Sequence, residues 1–227
     1  MKSVYFISGI DTGIGKSVVT GLMARSLILR GVDAITVKLV QTGNDGFSED
    51  IDLHRAICGG GRFPEDAAGL TAPQIFRFPS SPLLAASLEK RTVDLGAVAE
   101  AVKTCASRHT VVLVESAGGL HVPLTPEALT ADFAAAQNWP LILVTSGRLG
   151  SINHTLLSLE AAKTRGMAVA GVVYNGYPPA DPLIDADTPE TIRRYLAKWG
   201  FPPALVRVPS LPVGGPYPDL DFSELFA

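Results

Sequence analysis

The chain has 227 residues, of which 47% are hydrophobic, and a formal charge of -3 from 19 basic and 22 acidic residues. This length and apolar content suit one α/β domain with a sizeable core and do not favour a second full domain. The intermixed charges form no basic stripe for a phosphate backbone, and no stretch approaches the ~18 apolar residues of a membrane helix, so neither nucleic acid nor a membrane is expected as a partner.

The predicted elements alternate between short β-branched runs and longer segments of helical spacing. Runs that are apolar on both faces are typical of buried parallel strands. The predicted strands are 4–8, 34–40, 111–115, 141–145, 169–174 and 205–208, and the predicted helices are 17–30, 95–108, 131–138, 153–165 and 189–199. Thr188 and Pro189 suit the N-cap and first turn of the last helix. The alternation predicts an α/β fold over 1–227, a doubly wound, mostly parallel sheet with helices on both faces.

Two segments fall outside this alternation. Glycines at 59–61 and a Pro/Ser stretch at 78–82 interrupt a long excursion between the second and third strands, which we predict to be a loop-plus-helix insertion at about 44–92. Such insertions often carry substrate contacts. The tail from Pro209 is rich in proline and glycine, so we expect it to wrap the surface or to border a ligand.

The N-terminal stretch and the two cysteines indicate the cellular compartment in which the protein is expected. The first apolar stretch meets Asp11 too early for a secretory signal, and Cys58 and Cys105 have no paired spacing. We therefore expect a cytoplasmic protein with two reduced thiols.

The segment from Gly9 to Ser17 reads GIDTGIGKS and lies between the first predicted strand and the first predicted helix. Triphosphate binding needs exposed backbone N–H groups, the positive end of a helix, a lysine and a hydroxyl for magnesium. Gly15, Lys16 and Ser17 supply the last parts in the required order, although the leading glycine falls one residue earlier than in the strict pattern. The segment is therefore predicted to be a phosphate-binding loop, or P-loop.

With this loop the chain resembles the dethiobiotin synthetase family, whose P-loop has the same offset first glycine. Further blocks that look like the family's follow in order along almost the whole chain, at 38–43, 115–119 and 150–154 and at Asn175. The resemblance implies a P-loop NTPase fold and an ATP- and Mg²⁺-dependent cyclo-ligase of biotin biosynthesis. Such an enzyme converts 7,8-diaminononanoate and CO₂ into dethiobiotin through a phosphorylated carbamate. The resemblance also implies a homodimer.

The resemblance assigns roles residue by residue. Lys38 would hold the carbamate while it takes the γ-phosphoryl group, with Lys16 and Thr12 as the other catalytic residues. Nucleotide contacts are implied at Gly13, Ile14, Gly15, Lys16, Ser17, Val18, Asn175, Pro209, Ser210 and Leu211. Substrate contacts are implied at Lys38, Thr42, Gly118, Gly119, Ser151 and Asn153, the last two from a turn that the neighbouring subunit supplies.

Glu115 is the strongest metal-ligand candidate, because it ends an apolar run where a carboxylate is costly to bury without a cation. By resemblance it binds magnesium together with Ser17 and an aspartate of the insertion. Asp50 aligns best with that aspartate, and Asp52 remains an alternative. His54, His109, His121 and His154 have no metal-ligand spacing, so solvated or helix-surface positions are expected for all of them.

Two other functions compete with this interpretation. A nucleotide-switched positioning ATPase of the partition or cell-division-site class shares the sheet, but it needs a second lysine where this chain has Asp11. Membrane-bound members of that class end in a basic amphipathic helix, whereas 212–227 is acidic and proline-rich. A cobyrinate synthase relative would usually need a glutamine-handling domain. The sequence does not determine which nucleobase is preferred.

Overall fold

The computed structural model describes residues 3–212 and 214–226, so both ends of the predicted 1–227 domain lie outside the described residues. Its main sheet has six parallel strands in the order β2-β5-β1-β6-β7-β8. These are β1 (Ser3–Gly9), β2 (Ala34–Lys38), β5 (Val111–Glu115), β6 (Leu141–Ser146), β7 (Val169–Asn175) and β8 (Leu205–Val208). The chain winds outward from β1 in both directions, which confirms the predicted doubly wound α/β fold.

Helices connect the strands and cover the sheet. They are α1 (Lys16–Leu29), α2 (Glu49–Cys58), α3 (Pro64–Ala67), α4 (Pro82–Leu88), α5 (Leu95–Arg108), α6 (Thr130–Ala136), α7 (Ser151–Thr164) and α8 (Pro182–Lys198). Successive β1 side chains enter opposite layers: Phe6 packs on one face with Leu143, and Ile7 packs on the other with Leu22. Because both faces are buried, the strands are mostly apolar, which is why the sequence pattern located them.

The insertion after β2 contains more regular structure than the predicted loop plus helix. It holds α2, α3 and α4, and a second, two-stranded parallel sheet of β3 (Gln41–Thr42) and β4 (Ile75–Phe76). The predicted strand 34–40 consequently ends at Lys38. Strands of two residues are too short to show an alternating pattern, so β3 and β4 could not be predicted from the sequence.

The prediction that the last helix begins at Thr188 and Pro189 is wrong. Helix α8 begins at Pro182, where the Asp181 side chain accepts a hydrogen bond from Leu183 N, and it continues through Pro189. Proline has no N–H to donate to the carbonyl oxygen four residues earlier, that of Asp185. Arg207 Nη1 donates to this oxygen instead, at 3.1 Å, so the helix continues without leaving it unpaired.

The C-terminal tail returns across the molecule to the sheet. A 3₁₀ turn, Ser223–Leu225, packs on β7 and β8, and Phe222 and Leu225 are buried in the layer that contains α1. Arg30, at the end of α1, pairs with Asp219 at 3.2 Å. Within the part of the chain described here, no helix combines the length and apolarity that a bilayer span requires.

Candidate active site

The predicted phosphate loop joins β1 to α1. Gly15 precedes α1 with a left-handed φ of 86°, a conformation that glycine adopts without strain, and α1 begins at Lys16. Lys16 is 7% exposed, and its Nζ donates to the carbonyl oxygen of Asp11 at 2.8 Å. Burial lowers the pKa of Lys16 to about 8, against the opposing effect of the Glu115 charge. The Lys16 side chain therefore bends back over the phosphate loop and contacts its backbone.

A cluster of charged side chains lies at the carboxyl ends of β2 and β5. Lys38 and Glu115 are the last residues of these strands and are paired in register. Lys38 Nζ lies 2.8 Å from Glu115 Oε1 and 2.6 Å from Asp50 Oδ2. Ser17 Oγ lies 2.6 Å from Asp50 Oδ1 and 2.9 Å from Glu115 Oε1. The structure thus brings these four predicted residues from β2, β5, α1 and α2 to one point.

The charges in this cluster support one another. Burial alone would raise the pKa of Glu115, but the charge of Lys38 and the hydrogen bond with His54 hold it well below its ordinary value. Burial alone would lower the pKa of Lys38, but Glu115 and Asp50 outweigh it and the pKa is raised. Both side chains are consequently ionised at neutral pH, and each stabilises the other's charge.

The oxygen atoms of the cluster fit magnesium. Ser17, Asp50 and Glu115 offer a hydroxyl and two carboxylates, the hard donors that Mg²⁺ prefers. Asp52 points elsewhere and pairs with Arg62 at 3.0 Å, so of the two alternatives only Asp50 reaches the cluster. Among residues 3–212 and 214–226, no group of three or more His, Cys, Asp and Glu side chains has a metal-binding arrangement. Two carboxylates suffice for Mg²⁺, which usually keeps waters and substrate phosphates as its other ligands.

A cavity of about 910 Å³ opens over this cluster. It is lined by the predicted residues Thr12, Gly13, Gly15, Lys16, Ser17, Val18, Lys38, Thr42, Asp50, Glu115 and Gly118. The insertion contributes a rim at 79–82 that was not among the predicted contacts, and Gln41, Glu49 and Val122 also line the cavity without having been predicted. The cavity therefore connects the phosphate loop with Lys38.

A smaller cavity of about 230 Å³ also borders the phosphate loop and shares Gly13, Gly15 and Val18 with the large one. Asn175 and Leu211, two predicted nucleotide contacts, line it together with Tyr177 and Tyr217, which were not among the predicted residues. Asn175 Nδ2 donates to the carbonyl oxygen of Ile14 at 2.8 Å, so the Asn175 side chain contacts the loop. Ile14 itself is buried at 3% exposure.

Other predicted residues lie away from both cavities. Pro209 and Ser210 line a separate cavity of about 550 Å³ beside Tyr174 and Arg207. Gly119 lines a further cavity of about 390 Å³ beside Asp11 and His154. Ser151 is buried at the start of α7, and Asn153, two residues further on, is exposed. The single chain therefore does not bring Ser151 and Asn153 to Lys38.

The expectation that all four histidines are solvated or on a helix surface is wrong for two of them. His54 is completely buried, with Nε2 2.9 Å from Glu115 Oε2. His109 is 9% exposed, with Nδ1 2.8 Å from Asp33 Oδ1. His121 and His154 are exposed, as expected. The sequence did hold a signal that was missed: His54 follows Asp50 by four residues, a spacing that puts both on one face of a helix.

Comparison with known proteins agrees with this geometry. The sequence model of a family described as "AAA domain" matches residues 3–216. The chain is 45% identical over 199 residues to "ATP-dependent dethiobiotin synthetase BioD 2" of Pasteurella multocida (strain Pm70), covering 88% of this chain and 93% of the relative. It is 50% identical over 198 residues to "ATP-dependent dethiobiotin synthetase BioD" of Chlorobaculum tepidum, covering 87% and 83%. The chain belongs to the dethiobiotin synthetase family.

Membership of the dethiobiotin synthetase family confirms the resemblance drawn from the P-loop and the blocks that follow it, and the relatives are ATP-dependent ligases. Similarity to solved structures supports the fold alone. A ParA family ATPase from Chlorobium tepidum TLS has a TM-score of 0.52 at 16% identity, covering 92% of this chain and 85% of that one. The signal recognition particle receptor FtsY from Elizabethkingia anophelis, in complex with GDP, has a TM-score of 0.54 at 14% identity, covering 100% and 62%.

Proposed function

We propose that this chain closes the ureido ring of dethiobiotin from 7,8-diaminononanoate and CO₂, with ATP converted to ADP and phosphate. One observation carries the proposal: Lys38 Nζ is held 2.8 Å from Glu115 and 2.6 Å from Asp50, facing a phosphate loop across one cavity. A buried ammonium opposite a triphosphate site suits a reaction that moves a phosphoryl group onto an anionic oxygen. The relatives' names support the choice of substrates.

The phosphate loop would bind the triphosphate. Backbone N–H groups at 13–17 and the N-terminus of α1 attract its negative charge. Lys16 donates to the Asp11 carbonyl at 2.8 Å, and it would exchange that acceptor for phosphate oxygens when nucleotide arrives. Because burial lowers the pKa of Lys16 to about 8, the gain from meeting a polyanion is larger for this lysine than for a solvated one.

Ser17, Asp50 and Glu115 would hold Mg²⁺, which when bound neutralises charge on the triphosphate. The chain's own part is to keep the oxygens converged: Ser17 Oγ lies within 2.9 Å of both carboxylates. Asp50 reaches this point from the first turn of α2, where the Ser48 side chain caps the helix by accepting from Ile51 N. The Ser48 cap therefore fixes the end of the helix that carries Asp50.

Lys38 would stabilise the carbamate. An amine of the substrate adds to CO₂ and loses a proton, and the resulting carbamate oxygen takes the γ-phosphoryl group as ADP leaves. The second amine then attacks the carbamate carbon, phosphate leaves, and the ring closes as that nitrogen loses one proton and keeps the other as the ureido N–H. Throughout, the charged Lys38 offsets negative charge near the reacting oxygen, and Thr12 on the cavity wall is placed to donate to phosphate oxygens.

A second subunit would supply the predicted contacts of Ser151 and Asn153. Both residues lie at the N-terminus of α7, the end of a helix that suits a carboxylate, but they do not line the cavity of their own chain. Leu149 is 86% exposed and Leu157 is 55% exposed beside that turn. We propose a cytoplasmic homodimer in which each α7 N-terminus binds the carboxylate of the substrate in the other subunit.

The small cavity beside Asn175 is proposed to take the nucleobase. Tyr177, Tyr217 and Leu211 offer aromatic and apolar surface, and Gly13 and Gly15 connect the cavity to the phosphate loop. Continuity with the loop is what a nucleoside triphosphate requires, because base and phosphates are joined through one ribose.

An endpoint assay tests the proposal. The enzyme is incubated with the diamine, bicarbonate, Mg²⁺ and each nucleoside triphosphate in turn, and the product is read by mass. We expect the cyclic urea only when diamine, bicarbonate, metal and nucleotide are all present. Nucleotide hydrolysis that is indifferent to the diamine would contradict the proposal and favour a positioning ATPase.

A further inference from the structure

A buried histidine lies directly behind the candidate metal carboxylate. His54 is on α2 and is completely enclosed between Thr36 of β2 and Glu115 of β5. Its Nε2 lies 2.9 Å from Glu115 Oε2, and its Nδ1 lies 3.0 Å from Thr36 Oγ1. Both ring nitrogens therefore have a partner, and one of them is the carboxylate that faces the cavity.

The carboxylate and the neighbouring arginine fix the partners of these hydrogen bonds. The ionised Glu115 carboxylate can only accept, so His54 Nε2 donates to Glu115 Oε2. Arg55 Nη1 lies 2.8 Å from Thr36 Oγ1, and a guanidinium can only donate, so the Thr36 oxygen accepts from it. The Thr36 hydroxyl therefore contacts both Arg55 and His54 Nδ1 and holds the imidazole ring in place.

The arginine is itself fixed from the far side. Arg55 makes two hydrogen bonds to Asp66, from Nε to Oδ2 at 2.9 Å and from Nη2 to Oδ1 at 2.7 Å. Asp66 also accepts from Thr71 Oγ1 at 2.7 Å and from Phe63 N at 2.8 Å. A continuous chain of hydrogen bonds therefore runs from α3 through Arg55, Thr36 and His54 to Glu115.

These hydrogen bonds restrict the orientation of the Glu115 carboxylate. Its Oε1 faces Ser17 and Lys38, whereas its Oε2 is occupied by His54. A carboxylate held at one oxygen cannot rotate to offer both oxygens to a cation. We propose that His54 is a positioning residue that holds Glu115 so that only Oε1 is presented to the metal of the nucleotide complex. This inference rests on the proposed function in that it takes Glu115 as a metal ligand.

Three variants separate positioning from packing. His54→Leu fills the space without a donor, and His54→Gln carries an amide N–H that can reach the position of Nε2. Thr36→Val keeps the shape of threonine and removes the hydroxyl that holds His54 Nδ1. His109→Leu is the matched control, because His109 is also buried and bonded to a carboxylate, Asp33, but lies outside the cluster.

The main measurement is Mn²⁺ binding, followed by electron paramagnetic resonance on the full chain with a non-hydrolysable ATP analogue and no diamine. We expect His54→Leu to weaken Mn²⁺ affinity by about 10- to 100-fold, the usual cost of removing a partner of a metal ligand. His54→Gln should restore most of the affinity, Thr36→Val should weaken it less than His54→Leu, and His109→Leu should leave it unchanged. The Mg²⁺ concentration for half-maximal turnover should rise in the same order, with KM for the diamine unaffected.

The proposal is overturned if His54→Leu binds Mn²⁺ like the parent enzyme, or if Gln and Leu at position 54 are equally impaired. Should both His54 variants fail to fold, Thr36→Val decides: unchanged Mn²⁺ affinity there contradicts the proposal. Because this binding is measured without turnover, it can succeed even if no cyclic urea is ever formed. In that case the proposed reaction fails and the role of His54 stands.

Discussion

The charged cluster and the small aromatic cavity both border the phosphate loop and are built differently. In the cluster, directional contacts of 2.6 to 2.9 Å connect Lys38, Asp50, Glu115 and Ser17. The lining of the small cavity offers aromatic and apolar surface and one amide, Asn175, which already donates to the loop at Ile14. Under the proposed function, hydrogen bonds would position the reacting groups, whereas shape would position the base.

Replacing Lys38, the positively charged side chain of the cluster, should have the largest effect on the reaction. Lys38→Met is expected to lower the rate of dethiobiotin formation by at least ~10²-fold, the scale for one lost transition-state donor. It also leaves two carboxylates without their partner, at a cost of about 3–5 kcal/mol in unfolding free energy. Lys16→Ala should lower turnover on the same scale of ~10²-fold. Single-turnover assays and thermal unfolding measure both effects.

Lys103→Met is the control for Lys38→Met, because Lys103 is exposed on α5, where it pairs with Glu100 outside the cluster. It should leave both the rate and the unfolding free energy unchanged. A near-normal rate in Lys38→Met would mean that the contacts of the cluster serve the fold rather than the reaction.

Two aspartates on one helix turn allow a matched test of the metal ligands. Asp50→Asn should raise the Mg²⁺ concentration needed for half-maximal turnover by about 10-fold or more, because it removes charge from a hard-oxygen site. Asp52→Asn should have no such effect, because Asp52 pairs with Arg62 at 3.0 Å outside the cluster. Magnesium titrations of the two variants decide between them. Equal sensitivity of both would contradict the assignment of Asp50.

Substitutions in the small cavity should change the affinity for the nucleotide rather than the rate of the reaction. Tyr217→Ala is expected to raise KM for the nucleotide by roughly 5- to 150-fold, corresponding to the ~1–3 kcal/mol typical of base stacking on an aromatic ring. The turnover number at saturation should change little, because the phosphates keep their own contacts. Tyr217→Phe, which retains the ring, serves as the control. If Tyr217→Ala lowered turnover while KM stayed constant, the separation of the two regions would fail.

The smallest expected effect tests a contact beside the base region that takes no part in the reaction. Arg207→Met removes the donor to the Asp185 carbonyl within α8 and should lower the unfolding free energy by ~1 kcal/mol, with kinetics unchanged. In the Pro189→Ala background the loss should be smaller, because alanine supplies the missing helical N–H. Denaturant unfolding of the four proteins in this cycle gives the coupling. Strictly additive losses would contradict the compensation.

The features that could be predicted from the sequence are those that depend on residues close together along the chain. The six strands could be predicted because both sheet faces are buried, and the P-loop, Lys38 and Glu115 could be found because each lies at the carboxyl end of a strand. The start of α8 was mispredicted, because the residue that satisfies the Asp185 carbonyl, Arg207, lies on a different element. His54 was mispredicted for a similar reason, since its burial depends on how α2 packs against two strands. The path of the tail, which brings Tyr217 to Asn175, likewise depends on distant contacts.

The anchored tail links the end of the chain to the nucleotide. Gly171 of β7 leaves room for Leu225, since a Cβ at Gly171 would lie 2.5 Å from Leu225 Cδ2. The segment that carries Tyr217 is therefore tethered at both ends, by β8 before it and by Phe222 and Leu225 after it. Thermodynamic reciprocity then requires that a bound nucleotide stabilise the docked tail as much as docking favours the nucleotide. Saturating nucleotide should accordingly slow digestion of the chain by carboxypeptidase.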